Sequence, residues 1–258
     1  DDPANPGSNT EGDKPVVSVS DAQANEGSSL IHTVTLSNPT SVAVSYPFSL
    51  SPGSATDGDD YHSNAITFSN GVTYNATTGS ISIPAGITSF TVSYPALTDS
   101  IDELTETTTL TIGSSSGTGS ITDTNSAPVI SISATDAQAI EGVSGDAIVF
   151  NIEQIGISDR ATSVTVSLNL TDAQAADIAS IVLTNSDGST QTLTAAQAIA
   201  GVVVSIPAGT TAGPTLSITP IDDTIYEVSE SLSVSLSSPT NATIGNNSAT
   251  GVILDESD

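Results

Sequence analysis

The chain has 258 residues, with 29 Asp and Glu against two cationic side chains, a net charge of −27, no cysteine and 3% aromatic residues. That charge excludes nucleic acid and anionic membranes as partners, because both are polyanions, and the lack of cysteine excludes disulfides, thiolate metal sites and cysteine nucleophiles. A hydrophobic fraction of 36% argues against disorder, but a core of Val, Ile, Leu and Ala is lean and benefits from added cross-links.

Residues 1–15 read as a linker. Val16-Val-Ser-Val-Ser, Ile31-His-Thr-Val-Thr-Leu36, Phe90-Thr-Val-Ser-Tyr94 and Leu110-Thr-Ile112 then alternate apolar with small polar residues, the period of a half-buried strand. Turns are expected at Asn38-Pro39, Pro52-Gly53 and Ala85-Gly86. After Thr124-Asn-Ser-Ala-Pro128 the same texture resumes in Ala147–Ile152, Val164–Leu168, Val202–Ile206, Leu216–Ile218 and Leu232–Leu236, with a turn at Ser238-Pro239. Short strands at this spacing predict an all-β chain of sandwiches with about seven strands each. The two halves differ in the middle. The first carries Asp57 to Gly79, with Tyr61, Phe68 and Tyr74, and the second an insertion over 171–201. In that insertion Thr171-Asp172 and Thr194 are expected to cap short helical turns, around a hairpin at Asp187-Gly188.

An internal repeat fixes the organisation. Pro15-Val-Val-Ser-Val-Ser, leading to Glu26-Gly27, returns as Pro128-Val-Ile-Ser-Ile-Ser, leading to Glu141-Gly142. Ile83-Pro-Ala-Gly86 returns as Ile206-Pro-Ala-Gly209. Asp99-Ser-Ile-Asp-Glu103-Leu-Thr-Glu106 returns as Asp223-Thr-Ile-Tyr-Glu227-Val-Ser-Glu230, and Ser120-Ile-Thr-Asp123 as Val252-Ile-Leu-Asp255. Four blocks in one order define two modules, 16–126 and 127–258.

The acids cluster just beyond strand ends. The first module offers Glu26, Asp57, Asp59, Asp60, Asp99, Glu103, Glu106 and Asp123; the second offers Glu141, Asp222, Asp223, Glu227, Glu230, Asp255, Glu256 and Asp258. Two carboxylates about 4 Å apart repel by roughly 4 kcal/mol at an effective dielectric near 20. Lys14 and Arg160 are too few to relieve such repulsion, so a fold that gathers these groups needs an outside cation. Hard oxygen donors in this number point to Ca²⁺. Isolated acids such as Asp146, Asp159 and Asp177 read as surface residues.

These blocks resemble the Calx-beta module, known from sodium/calcium exchangers and from giant bacterial RTX-type adhesins. The resemblance rests on Glu26-Gly27, Gly58-Asp-Asp-Tyr61, Asp99 to Glu106 and Asp123, and on Glu141-Gly142, Asp222-Asp223 to Glu230 and Asp255-Glu-Ser-Asp258. It implies Ig-like, Greek-key β-sandwiches that bind Ca²⁺ at one tip, near the junction with a neighbouring module. Two departures stand out. Thr98 replaces the first acid of the Asp-Asp pair in the first module. The second module lacks the Asp-Tyr loop, with Asp187 as the candidate substitute. Asp1-Asp2 look like the closing acids of a preceding module, so the chain reads as two units of a longer tandem array.

No Walker or His-Glu-x-x-His pattern occurs, and His32 and His62 have no nucleophile motif beside them. The expectation is therefore a non-catalytic, monomeric, secreted or bacterial cell-surface segment. Calcium would rigidify its modules for cell adhesion or biofilm formation, with neighbouring modules as partners and no insertion into a membrane. Two alternatives remain at this level: a receptor-binding region for a peptide or glycan in the same adhesin, and an accessory domain of a secreted hydrolase.

Overall fold

Alternating burial along each apolar run produces the strands. Ser29–Leu36 points Leu30, His32, Val34 and Leu36 inward and its intervening residues outward, and Ile148–Ile155 does the same with Ile148, Phe150, Ile152 and Gln154. The computed structural model describes residues 14–255; Asp1, Asp2, Glu256 and Asp258 lie outside them. The described residues divide into two compact units, one formed by 14–99 with 104–124, the other by 100–103 with 125–255. Each unit is a Greek-key β-sandwich.

In the first unit, among the described residues, one sheet runs Val17–Val19, Ser29–Leu36, Ser89–Pro95, Thr67–Phe68. The facing sheet runs Ala22–Asn25, Ser115–Thr122, Glu106–Ile112, Val44–Pro52, Ser80–Ile83, Thr73–Asn75. The second unit repeats this plan. One sheet is Thr190–Leu193, Ile178–Thr184, Thr215–Pro220, Ile148–Ile155, Val129–Asp136, Thr243–Ile244; the other is Gln138–Ile140, Ser248–Leu254, Glu230–Thr240, Thr162–Leu170, Val202–Ile206. It also holds a short parallel pair, Ile101–Asp102 with Ile157–Ser158, fixed by Arg160 Nη2 on Asp102 Oδ2 at 2.9 Å.

The opening strand of each unit is not one strand but two. It breaks after Val19 in one unit and at Ala137 in the other, and its second half joins the opposite sheet. There Ala22–Asn25 runs parallel to Gly119–Thr122, and Gln138–Ile140 parallel to Val252–Leu254. Ser238-Pro239 is not a turn. It lies inside Glu230–Thr240, at a register shift opposite Ser163/Thr165 where Ser238 has φ 50°.

Within the insertion, Thr194 caps the helix Ala195–Ala200 by accepting from Gln197 N, and Gln197 Oε1 accepts from Thr194 N at 2.9 Å, a reciprocal capping box. Thr171 and Asp172 cap nothing. Their amides bond to Ser231 O, and the 3₁₀ turn Ala175–Asp177 starts from Gln174. The 185–189 hairpin forms as expected, closed by Asn185 N on Ser189 O at 2.8 Å.

Counting through the ladders from the aligned opening strands shows an exchange of polar for apolar side chains between the two cores. His32, Tyr94, Thr108 and Gly119 of the first unit stand where Phe150, Ile218, Leu232 and Gly251 stand in the second. His32 is 0% exposed. Its Nδ1 lies 2.7 Å from Ser20 O and its Nε2 3.0 Å from Tyr94 Oη, which is in turn 2.6 Å from Thr108 Oγ1. A buried hydrogen-bonded chain thus replaces three apolar side chains. Burial holds the His32 pKa below its ordinary value of 6.5, against the smaller opposing effects of the Ser20 carbonyl and Asp21. Because the folded value is depressed, stability present above pH 6.5 is lost as pH falls through the folded pKa. Melts between pH 7.5 and 5 should show this loss in the first-unit transition. His32→Phe, compared over the same range, should lack it; parallel curves for the two proteins would refute the assignment.

Candidate metal centre

In the first unit, Glu26 follows the strand Ala22–Asn25 and its amide donates to Thr122 O at 3.1 Å, which sets it beside the end of the last strand. Gly27 turns with φ 72°, and a Cβ there would lie 2.8 Å from Thr98 Cγ2. Asp60 is placed from both sides. Its carbonyl accepts from Leu97 N at 2.9 Å and its Oδ2 from Thr56 N at 2.5 Å. Tyr61 beside it is buried at 1% exposure and packs edge-on against Tyr94.

Carboxylate oxygens of Glu26 and Asp99 lie within 4.8 Å of one another, as do those of Asp60 and Glu106, whereas Glu103 belongs to the 100–103 segment grouped with the second unit. Asp123, Asp99 and Asp60 all face Glu26. Burial first, and then these charges, raise the Glu26 pKa above its ordinary value, while a backbone bond from Thr124 opposes the shift. Glu26 Oε2 is buried with no hydrogen-bond partner. Two expected acids stand apart. Asp57 accepts from Ser63 N at 2.8 Å and from Ser63 Oγ, bonds that lower its pKa. Asp59 is exposed.

The second unit builds the same tip. Glu141 N donates to Leu254 O at 3.0 Å, the counterpart of the Glu26 bond, and Glu141 is 3% exposed. Glu227, Asp223, Asp255 and Asp177 face it, and burial followed by their charges raises its pKa. Asp255 Oδ2 accepts from Glu227 N at 3.0 Å. Oxygens of Asp177, Glu227 and Glu230 lie within 4.8 Å of one another. Burial, a hydrogen bond to Asp177 and the surrounding negative charge raise the Glu230 pKa to about 7, and its Oε2 is buried without a partner. Asp222 is exposed and is not among the acids that face Glu141 or Glu230.

Asp177 corrects the sequence reading twice. It is not a surface residue but 6% exposed, and it, not Asp187, stands in for the Asp-Tyr loop. Asp187 is in the 185–189 hairpin, its Oδ1 taken by Ser189 N and Oγ at 2.9 and 2.6 Å. The backbone shows the equivalence of Asp177 and Asp60. Asp177 O accepts from Ile221 N at 2.8 Å, as Asp60 O accepts from Leu97 N, and these donors lie two residues before Asp223 and Asp99. Asp177 Oδ2 accepts from Gln174 N as Asp60 Oδ2 does from Thr56 N. Ala173 N bonds Ser231 O where Ala55 N bonds Thr107 O, and both alanines are buried.

Neither cationic side chain reaches these tips. Lys14 Nζ lies 4.6 Å over the Tyr46 ring, and Arg160 pairs with Asp102 and Asp159. Buried, mutually repelling carboxylates with orphaned oxygens form an oxygen-only donor set that suits a hard divalent cation.

The Calx-beta domain family model matches residues 11–73, 63–137 and 144–257, which together span nearly the whole chain. The chain belongs to the Calx-beta family. Among solved structures, it is similar to calcium binding domain CBD12 of CALX1.1, at 12% identity over 93% of this chain and 99% of that one, with a TM-score of 0.37. It is also similar to the apo form of the Calx CBD1 domain, at 18% identity over 50% of this chain and 99% of that one, with a TM-score of 0.34. No curated protein matches it. Within its Calx-beta units, the acids that meet at each tip come from four places in the sequence: the end of the opening strand, the loop after the third framework strand, the Asp-to-Glu block, and the residue that closes the last strand.

Proposed function

We propose that this Calx-beta chain is a calcium-binding, non-catalytic segment of an extracellular bacterial adhesin of the RTX type, in which Ca²⁺ stiffens a tandem array. The observation that carries it is the pair of tips at which Glu26 and Glu230 each bury an oxygen with no partner among other acids. Glu26, Asp60, Asp99, Glu106 and Asp123 would hold metal in the first unit, and Glu141, Asp177, Asp223, Glu227, Glu230 and Asp255 in the second. Bound there, Ca²⁺ neutralises the repulsion and ties together loops that are distant in sequence. Asp123 and Asp255 follow the last strand of their units, so fixing them fixes the direction in which the chain departs. Support for the extracellular setting comes from the absence of cysteine and the strongly acidic composition. Millimolar-range affinities typical of extracellular modules, about 10⁻⁴–10⁻³ M, would let the surrounding fluid set stiffness.

Calorimetric titration of Ca²⁺ into chelator-treated protein tests this reading; an absence of heat would leave only an acidic spacer. The Glu230 carboxyl adds a signed expectation. Its folded pKa of about 7 lies above the ordinary 4.5, so in chelator the stability that Glu230 contributes is fully present below pH 4.5 and is lost as pH rises through 7. Calcium binding near pH 7 should therefore release protons, seen as a heat that varies with the ionisation enthalpy of the buffer. Glu230→Gln should remove that variation, and its persistence in the variant would place the proton elsewhere.

A further inference from the structure

The block Asp99-Ser-Ile-Asp-Glu103-Leu104 occurs again as Asp223-Thr-Ile-Tyr-Glu227-Val228, yet its two copies are in different states. In the first, Ile101 is half-buried and Asp102 is 7% exposed, because the pair lies along Ile157–Ser158 in the second unit. Asp102 O accepts from Asp159 N at 3.1 Å. In the second copy, Ile225 is 63% and Tyr226 86% exposed, and among the described residues no strand pairs with them. Leu104 and Val228, next in each block, are exposed in both, at 59% and 75%. The difference is thus confined to the two positions that carry the pairing.

Thr224 and Ile225 form a bend in the second copy, but the amides on either side of Tyr226 are already taken. Ile225 N is bonded to Asp223 Oδ1 at 2.7 Å and Glu227 N to Asp255 Oδ2 at 3.0 Å. Both bonds are made within their own unit, and once the segment is drawn straight the alternation of a strand turns the N–H and C=O of the intervening Tyr226 the other way, outward. Exposed Ile and Tyr side chains on so acidic a loop have no solubilising value. An anionic lipid surface is repelled by Asp222, Asp223 and Glu227 beside them.

We propose that Thr224–Glu227 is a docking strand for a further Calx-beta unit of the same build. That unit would add Ile225–Tyr226, in parallel, to its own counterpart of Ile157–Ser158. Where Asp102 meets the Arg160 guanidinium at 2.9 Å, Tyr226 presents a ring, so an arginine at that place in the incoming unit meets an aromatic face. The inference deepens the tandem-array reading and rests on it.

The test is a three-unit chain in which residues 124–255 are repeated after Asp255, compared with the two-unit chain by hydrogen exchange. The Tyr226 amide should exchange about tenfold more slowly, or slower still, in the three-unit chain. Tyr226→Pro, which removes the donor, should restore fast exchange at the repeated copy of Asp159. A Tyr226 amide that exchanges equally fast in both chains, while the added unit melts cooperatively, overturns the proposal. So does a two-unit chain that dimerises in sedimentation and becomes monomeric on Tyr226→Ser, because the surface would then have another occupant. Calcium titration of the same three-unit chain separates the two readings. Heat without protection defeats docking alone, whereas protection without heat supports docking and defeats the calcium reading.

Discussion

Calcium added to chelator-treated protein is expected to raise the melting temperature of both units, and single carboxyl-to-amide changes should abolish the rise one unit at a time. At a free concentration 100 times the dissociation constant, one site stabilises the folded state by about 2.7 kcal/mol, which for a unit of this size is a shift of about 10 °C. Glu26→Gln should cancel the response of the first transition and leave the second. Glu230→Gln and Asp177→Asn should do the reverse. The variants carry a second signature. Glu230 is raised to about 7 by burial, Asp177 and neighbouring charge, so removing its charge should raise the chelator-treated melting temperature at pH 8 while losing the calcium increment. A variant that lowers stability equally with and without calcium would instead report a packing role. The Asp177 variant is the sharper test, since no repeated sequence block marks this residue and only its place beside Glu227 and Glu230 assigns it to the tip.

The second large effect is expected at Gly119. A Cβ there would lie 2.4 Å from Tyr94 Oη, 2.5 Å from Thr108 Oγ1 and 2.7 Å from Leu30 Cδ2, so alanine must push apart the buried His32–Tyr94–Thr108 chain. Overpacking costs about 1–3 kcal/mol, and a buried hydroxyl left without its bond costs about 1–3 kcal/mol more. At the equivalent Gly251 an added methyl meets Ile148 Cγ2 at 2.6 Å and Phe150 Cζ at 3.3 Å, an apolar clash with the first cost only. Thermal melts of Gly119→Ala and Gly251→Ala should therefore show the first-unit transition falling further than the second-unit one. Thr108→Val, which keeps the volume and deletes the hydroxyl, should recover the hydrogen-bond part of the Gly119 loss. Equal small losses for both glycine variants would mean that the polar chain adapts freely.

Much of this was legible before any coordinates. Period-2 alternation in Ile31–Leu36 and Val164–Leu168 marks half-buried strands because a sheet face admits little else, and the four repeated blocks locate the acids at corresponding strand ends. Four features were not legible. Alternation says which residues point inward but not toward which sheet, so the transfer of Ala22–Asn25 and Gln138–Ile140 to the opposite sheet was hidden. Asp177 sits alone in Asp172-Ala-Gln-Ala-Ala-Asp177, and its only signal was a small buried alanine a few residues earlier, matching Ala55 before Asp60. The exchange of His32 for Phe150 was masked because the register shift between Ala134 and Asp136 breaks a residue-by-residue alignment. The 100–103 segment reads from sequence as a loop of the first module, and only the pairing with Ile157–Ser158 places it with the second unit.

The parallel pairing of each unit's opening and closing segments decides how a stretched chain would yield. Tension applied through the ends of the first unit pulls Ala22–Asn25 and Gly119–Thr122 in opposite directions along their length. All the rungs between them are then loaded together in shear, instead of peeling one after another. Glu26 and Asp123 cap the two strands at the same end, so a shared cation there would act as a rivet at the place where sliding must begin.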